Sequence, residues 1–128
     1  MARDVNDETK AKWSRVLTGL RNATDAKKIS WDRTAVDSAF ITSLGRHVVL
    51  LEKQEGDNST KYTIKLQDDF GDLIDEFDDE DLDVGSFDND NYKKLSNLYL
   101  KIRRQISGAD SVIDDVLVEL DKLDDIPF

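Results

Sequence analysis

The chain contains no cysteine, which excludes disulfides, thiolate zinc sites and a cysteine nucleophile and makes a reducing cytoplasm the simplest address. It has a single histidine, His47. A two-histidine metal site therefore cannot be built, and a Ser-His-Asp arrangement would depend on that one residue. Standing beside Arg46 at the start of an apolar run, His47 reads as a structural or surface residue. No apolar run is long enough for a signal peptide or a membrane span, so the expectation is a soluble protein without a membrane partner. Asp69-Phe70-Gly71 spells a magnesium-binding kinase triplet, but neither a glycine-rich nucleotide loop nor a catalytic-loop sequence accompanies it, and it reads as a hairpin turn. The most telling absence is of positive charge. Between Lys65 and Lys93 there is no basic residue, while residues 68–90 carry twelve carboxylates.

Such a tract repels itself unless it is solvated, bound to cations or faced by a basic partner. Charge is divided unevenly along the chain. Residues 1–67 hold twelve Lys/Arg against nine Asp/Glu, a net of +3, and residues 68–128 hold six against nineteen, a net of −13. That asymmetry suits attraction between the two halves or a polar homodimer, although an acidic surface that only confers solubility has the same composition.

The length of 128 residues fits one domain, because a core of this size buries roughly two thirds of the surface an unfolded chain exposes. Trp13, Val16, Leu17 and Leu20 recur at helical spacing and predict a first helix over 7–23, capped by Asn6 or Asp7. Ile29 and Trp31 alternate with polar neighbours in a short extended segment. The run 46–53 is apolar on both faces, as in a central strand covered from both sides. Tyr62, Ile64 and Leu66 alternate with polar residues in the clearest strand. A turn at 68–71 leads to a third strand, 72–77, in which Leu73 and Phe77 share a face with Asp75 between them, as at a sheet edge. Residues 78–91 read as a mobile acidic loop. Tyr92, Leu95, Leu98, Tyr99, Ile102 and Ile106 form an amphipathic helix ending at Gly108. A last helix, capped by Asp110 or Ser111, carries Ile113, Val116, Leu117 and Leu120 before Pro127.

The assembly that uses every apolar stripe once is α+β: a three-stranded or four-stranded antiparallel meander, packed with one N-terminal and two C-terminal helices in a single domain, 1–128. The second apolar face of the 46–53 strand needs a further cover, which helix 1, the C-terminal helix or a second subunit could supply, and that surplus is the reason to expect a dimer.

The acidic tract invites several chemistries. Asp79, Asp81 and Asp83 occupy positions one, three and five of a calcium loop, but position six is Val84 and position twelve is Asp90 in place of a bidentate glutamate. The helices around Gly108 have the order of a helix-turn-helix, but Asp114, Asp115, Glu119 and Asp121 on the second would repel phosphate, so no direct nucleic-acid binding is expected. Lys101, Arg103 and Arg104 on the preceding helix are expected to pair with the acidic tract. Imitation of DNA needs denser charge. Twelve carboxylates on an extended strand give one per roughly 6 Å, against one per about 1.7 Å for a duplex.

Trp13-x-x-x-Leu17, Lys28-Ile29-Ser30-Trp31, a meander ending in an Asp/Gly turn, and Leu98-Tyr99 followed by Arg103-Arg104 resemble small uncharacterised bacterial α+β domains. Ile102 departs from that pattern, which has a small residue before the arginine pair. The resemblance implies no named activity. It implies a bacterial or phage origin and an accessory role in defence or toxin neutralisation.

The residues together point to a non-enzymatic protein-binding module, accessory or immunity-like, that engages a basic protein partner. Its contacts are expected from Asp75, Glu76, Asp78, Asp79, Glu80, Asp81 and Asp83, with no catalytic residue, resident metal or cofactor. The alternatives are a binder of a small ligand or divalent ion, walled by the meander and the C-terminal helices, and a DNA-mimic protein.

Overall fold

A computed structural model describes residues 6–83 and 90–124 of the chain. Helix α1 spans Asp7–Asp25. Asn6 caps it by accepting a 2.8 Å hydrogen bond from the Thr9 amide, and Asp7 and Glu8 lie in the first turn, where the helix dipole favours negative charge. Trp13, Leu17 and Leu20 form its buried stripe. At the other end the Lys27 amide donates to the Thr24 carbonyl (3.1 Å) and the Lys28 amide to the Ala23 carbonyl (2.8 Å), while Lys27 adopts φ +58°. This is the reverse turn that usually ends on glycine, and a non-glycine residue there costs roughly 1–2 kcal/mol. The Thr24 hydroxyl donates to the Leu20 carbonyl (2.7 Å) and accepts from the Trp31 indole (3.0 Å), tying the segment after the helix to its last turn.

Five antiparallel strands follow in chain order across one sheet: β1 (Asp32–Arg33), β2 (Ala39–Leu44), β3 (His47–Glu55), β4 (Thr60–Gln67) and β5 (Leu73–Asp78). Between β2 and β3 a two-residue turn begins with Gly45 at φ +62°, the sign that tight hairpins require. Between β4 and β5 one Asp68 carboxylate oxygen accepts from both the Phe70 and Asp72 amides at 2.9 Å, so the Asp69-Phe70-Gly71 triplet is a hairpin turn. Helices α2 (Asp79–Asp83), α3 (Asp90–Ser107) and α4 (Ala109–Asp124) complete the described fold.

The core lies on one face of the sheet. Phe40, Val49, Leu51, Tyr62, Ile64 and Phe77 from the strands meet Trp13, Leu17 and Leu20 from α1, Leu82 from α2, and Leu95, Leu98, Tyr99 and Ile102 from α3. Strand alternation places the sheet residues on this face, since Leu51 pairs with Phe40 on one side and Ile64 on the other, and Ile64 pairs with Phe77. Trp13 stacks on Phe77 with ring centroids 5.3 Å apart and donates its indole N–H to Asp75 at 2.8 Å, locking α1 to the edge strand. No helix among the described residues is long and apolar enough to cross a membrane.

The α+β class, the antiparallel meander and the edge position of the last strand agree with the sequence reading, but among the described residues five strands and four helices replace three or four strands and three helices. Residues 39–44 lack clean alternation and become a strand through pairing with β3. A register shift between Leu66 and Gln67 breaks the alternation of β5. Leu73 and Ile74 are consequently both exposed, and Leu73 does not share the buried face of Phe77. On the far face of β3, Val48 and Leu50 stay half-buried beside the Glu52–Lys65 ion pair (3.0 Å), so this strand is not covered on both sides. The first part of the expected acidic loop is ordered as the end of β5 and as α2; residues 84–89 lie outside the described residues.

Trp13→Phe keeps the ring stack but leaves the half-buried Asp75 carboxylate without this donor, an expected loss of about 1–3 kcal/mol. Thermal melting should show a drop of several degrees. An unchanged Tm would mean that the indole hydrogen bond adds no net stability.

Candidate functional site

The mid-chain acids were the sequence candidates for partner contact, and the fold turns most of them toward its own backbone. Asp75 accepts from Trp13 and, through its other oxygen, from the Glu76 amide at 2.8 Å. Asp78 caps α2: its carboxylate accepts from the Asp81 amide at 2.8 Å, and the Asp81 carboxylate returns the contact by accepting from the Asp78 amide at 3.0 Å. Two amides at a helix start are thus satisfied reciprocally by a box built of aspartates. The other Asp78 oxygen pairs with Lys61 at 3.2 Å, and this hydrogen bond, with the charge of Asp78, raises the lysine above its usual pKa. Asp79 accepts from the Tyr62 amide at 3.2 Å, and burial pushes its carboxyl above the ordinary aspartate range despite that hydrogen bond.

Glu76 is half-buried opposite Lys65 in the strand register. Glu80 is exposed, and Asp83 ends α2. Asp79 and Asp81 therefore serve backbone amides in a helical turn and do not form the first half of a calcium loop. Among the described residues no group of three or more His, Cys, Asp or Glu side chains is placed to hold a metal ion. Among the described residues Lys101 and Arg104 pair outside the acidic tract, against expectation. Lys101 pairs with Asp25 of α1, and Arg104 with Asp110 of α4 at 2.5 Å. His47 is exposed at the first residue of β3.

The unsatisfied surface is elsewhere. Helix α4 buries no residue. Val112, Ile113, Val116, Leu117, Leu120 and Leu123 are each between 47 % and 55 % exposed, and at about 100° per residue they form one stripe roughly 140° wide. Asp114 and Asp121 border one side of the stripe, Asp115 and Glu119 the other. Isolated helices of this length are marginal in water, and α4 is rich in Val and Asp, which are weaker helix formers than Ala, Leu or Glu. Complete burial of six aliphatic side chains already half out of water is worth about 4–9 kcal/mol. A stripe of this size calls for a cover.

At the root of α4 lies a groove of about 890 Å³, open to solvent, between the C-terminal half of α1, the 27–31 segment and α3. Ile29, Leu98, Leu100 and Ile106 give it an apolar floor; the Lys101–Asp25 and Arg104–Asp110 pairs and Ser111 at the start of α4 also line it, and so do two further cations, Arg21 and Lys27. Neither of these two forms an ion pair among the described residues. Sequence reading found the stripe of α4 and assigned it to the core; the structure corrects that, because α1, α2 and α3 already occupy the core face of the sheet. The groove had no linear signature. Its rim joins residues from α1 and the turn after it to a floor supplied largely by α3.

Two neighbouring aspartates should respond in opposite directions. Asp78→Ala removes the cap of α2 and the partner of Lys61, for an expected loss of about 1–2 kcal/mol. Asp79→Asn keeps an acceptor for the Tyr62 amide and removes a buried charge, and should raise stability at pH 7. The sign follows from proton linkage: with the folded pKa of Asp79 raised, the native state binds more protons, so wild-type stability falls as pH rises from about 4 through the raised value. Urea melts from pH 3.5 to 8 should show that fall diminished in the Asn variant; an identical profile would remove Asp79 as its source. Comparison with known proteins finds no match to the chain among family models, curated proteins or solved structures.

Proposed function

We propose that the chain is a non-enzymatic protein-binding module whose contact element is α4, an amphipathic helix that seats its apolar stripe in a groove with a cationic rim. The observation that carries this reading is the stripe itself, six aliphatic residues about half exposed on one helix. Contiguous apolar surface of this kind on a soluble domain marks an interaction site. Helix-in-groove docking uses anchors spaced i, i+3, i+4 and i+7, the spacing of Ile113, Val116, Leu117 and Leu120. Acids on both borders select a basic rim and disfavour nucleic acid. The reading keeps the basic protein partner expected from composition and moves the contact from Asp75, Asp78, Asp79 and Asp81, whose carboxylates serve the fold, to α4. Of the seven acids expected at the contact, Glu80 is exposed, as are Asp69, Asp72 and Asp90 elsewhere in the tract.

The test is affinity capture from the source cells, with identification of the captured protein and reconstitution from purified components. Val116→Glu with Leu120→Glu should weaken the reconstituted complex by at least about tenfold, while circular dichroism shows the fold intact. Binding unchanged in that variant, or lost on replacing Glu80 alone, would overturn the assignment to α4.

A further inference from the structure

We infer that a surface fitting α4 is carried by the chain itself, and that two copies exchange α4 reciprocally, each stripe seated in the other copy's groove between α1, the 27–31 segment and α3. The inference rests on α4 being the contact element and names its occupant.

Three observations support a second copy. The chemistry is complementary: an apolar floor rimmed by Arg21 and Lys27 faces an apolar stripe bordered by Asp115 and Asp121. Lys27 is also held in a left-handed backbone conformation, φ +58°, a strain that reverses the chain at the groove wall and sets this lysine on the rim. Next, α4 reaches its own groove only through its first turn, where Asp110 and Ser111 line it, and none of its six stripe residues does. Gly108 alone separates Ser107 from Ala109, whereas a helix that folds back along its predecessor needs a connection of about 2–5 residues. A second copy has no such limit. Finally, direct pairing of two α4 helices would set acidic borders against acidic borders, which costs affinity, while the groove offers the opposite sign.

Reciprocal seating is isologous and closes at two copies. A helix of 16 residues is about 24 Å long and about 10 Å across, so two contacts cover on the order of 1,000 Å², the size of weak, reversible interfaces, and the dimer should form at micromolar concentration.

Sedimentation velocity on the full chain, at about 1–100 µM to span that range, tests this with two charge-reversed proteins. Arg21→Glu/Lys27→Glu reverses the groove, and Asp115→Lys/Asp121→Lys reverses the helix. Wild type should be dimeric at the upper concentrations and each variant monomeric, because each then opposes like charges at both contacts. An equimolar mixture should recover a heterodimer, since reversed groove meets reversed helix and native groove meets native helix. A monomeric wild type across the range overturns the second copy as occupant, and leaves α4 binding to a reconstituted foreign partner as the separate measure of the reading beneath it. Dimerisation of the groove variant at wild-type strength, or a mixture that stays monomeric, overturns seating in this groove.

Discussion

One face of one sheet accepts helices, and that face is filled before the chain reaches its last element. The far face is patterned with ion pairs, Glu52 with Lys65 and Lys61 with Asp78, so no second layer can form there without burying charge. On the near face α1, α2 and α3 close over Leu51, Ile64 and Phe77, which are almost wholly buried. Helix α4 is left with a half-exposed stripe because its partners' surface is already spent, and its exposure follows from the architecture of the rest.

Closing that face depends on carboxylates used as structural acceptors. Asp75 fixes the Trp13 indole, Asp78 and Asp81 cap α2, Asp79 holds the Tyr62 amide, and Asp68 shapes the β4–β5 turn. Each of these amides or N–H groups would otherwise lack a partner at a turn, a helix start or a sheet edge, where backbone groups have no regular neighbour. The density of acid in the middle of the chain is thereby explained in large part by local geometry, with two buried members, Asp79 and Asp81, of which Asp79 is carried at an electrostatic cost.

Much of the fold was legible in the linear chain. The Trp13–Leu20 and Leu95–Ile102 stripes, the alternation of Tyr62, Ile64 and Leu66, and the stop at Gly108 each follow from a period or a backbone requirement that a few residues define. Two kinds of feature were not legible. Strands β1 and β2 exist because β3 supplies hydrogen-bonding partners, and the register shift in β5 moves Leu73 outward in a way alternation cannot foresee. The acids show the same limit more sharply: in sequence no cation lies within the tract, while in space β4 sets Lys61 against Asp78 and the backbone supplies most of the remaining donors.

The sequence by itself determined the class of the protein, its helical and extended periods, its lack of thiol chemistry and the placing of negative charge, because these depend on residue type and spacing alone. Only the tertiary structure decided which acids face inward, which amphipathic helix lacks a cover and where a cationic groove opens beside it. Burial is a property of neighbours in space, and the neighbours of Asp79 and of α4 come from distant parts of the chain.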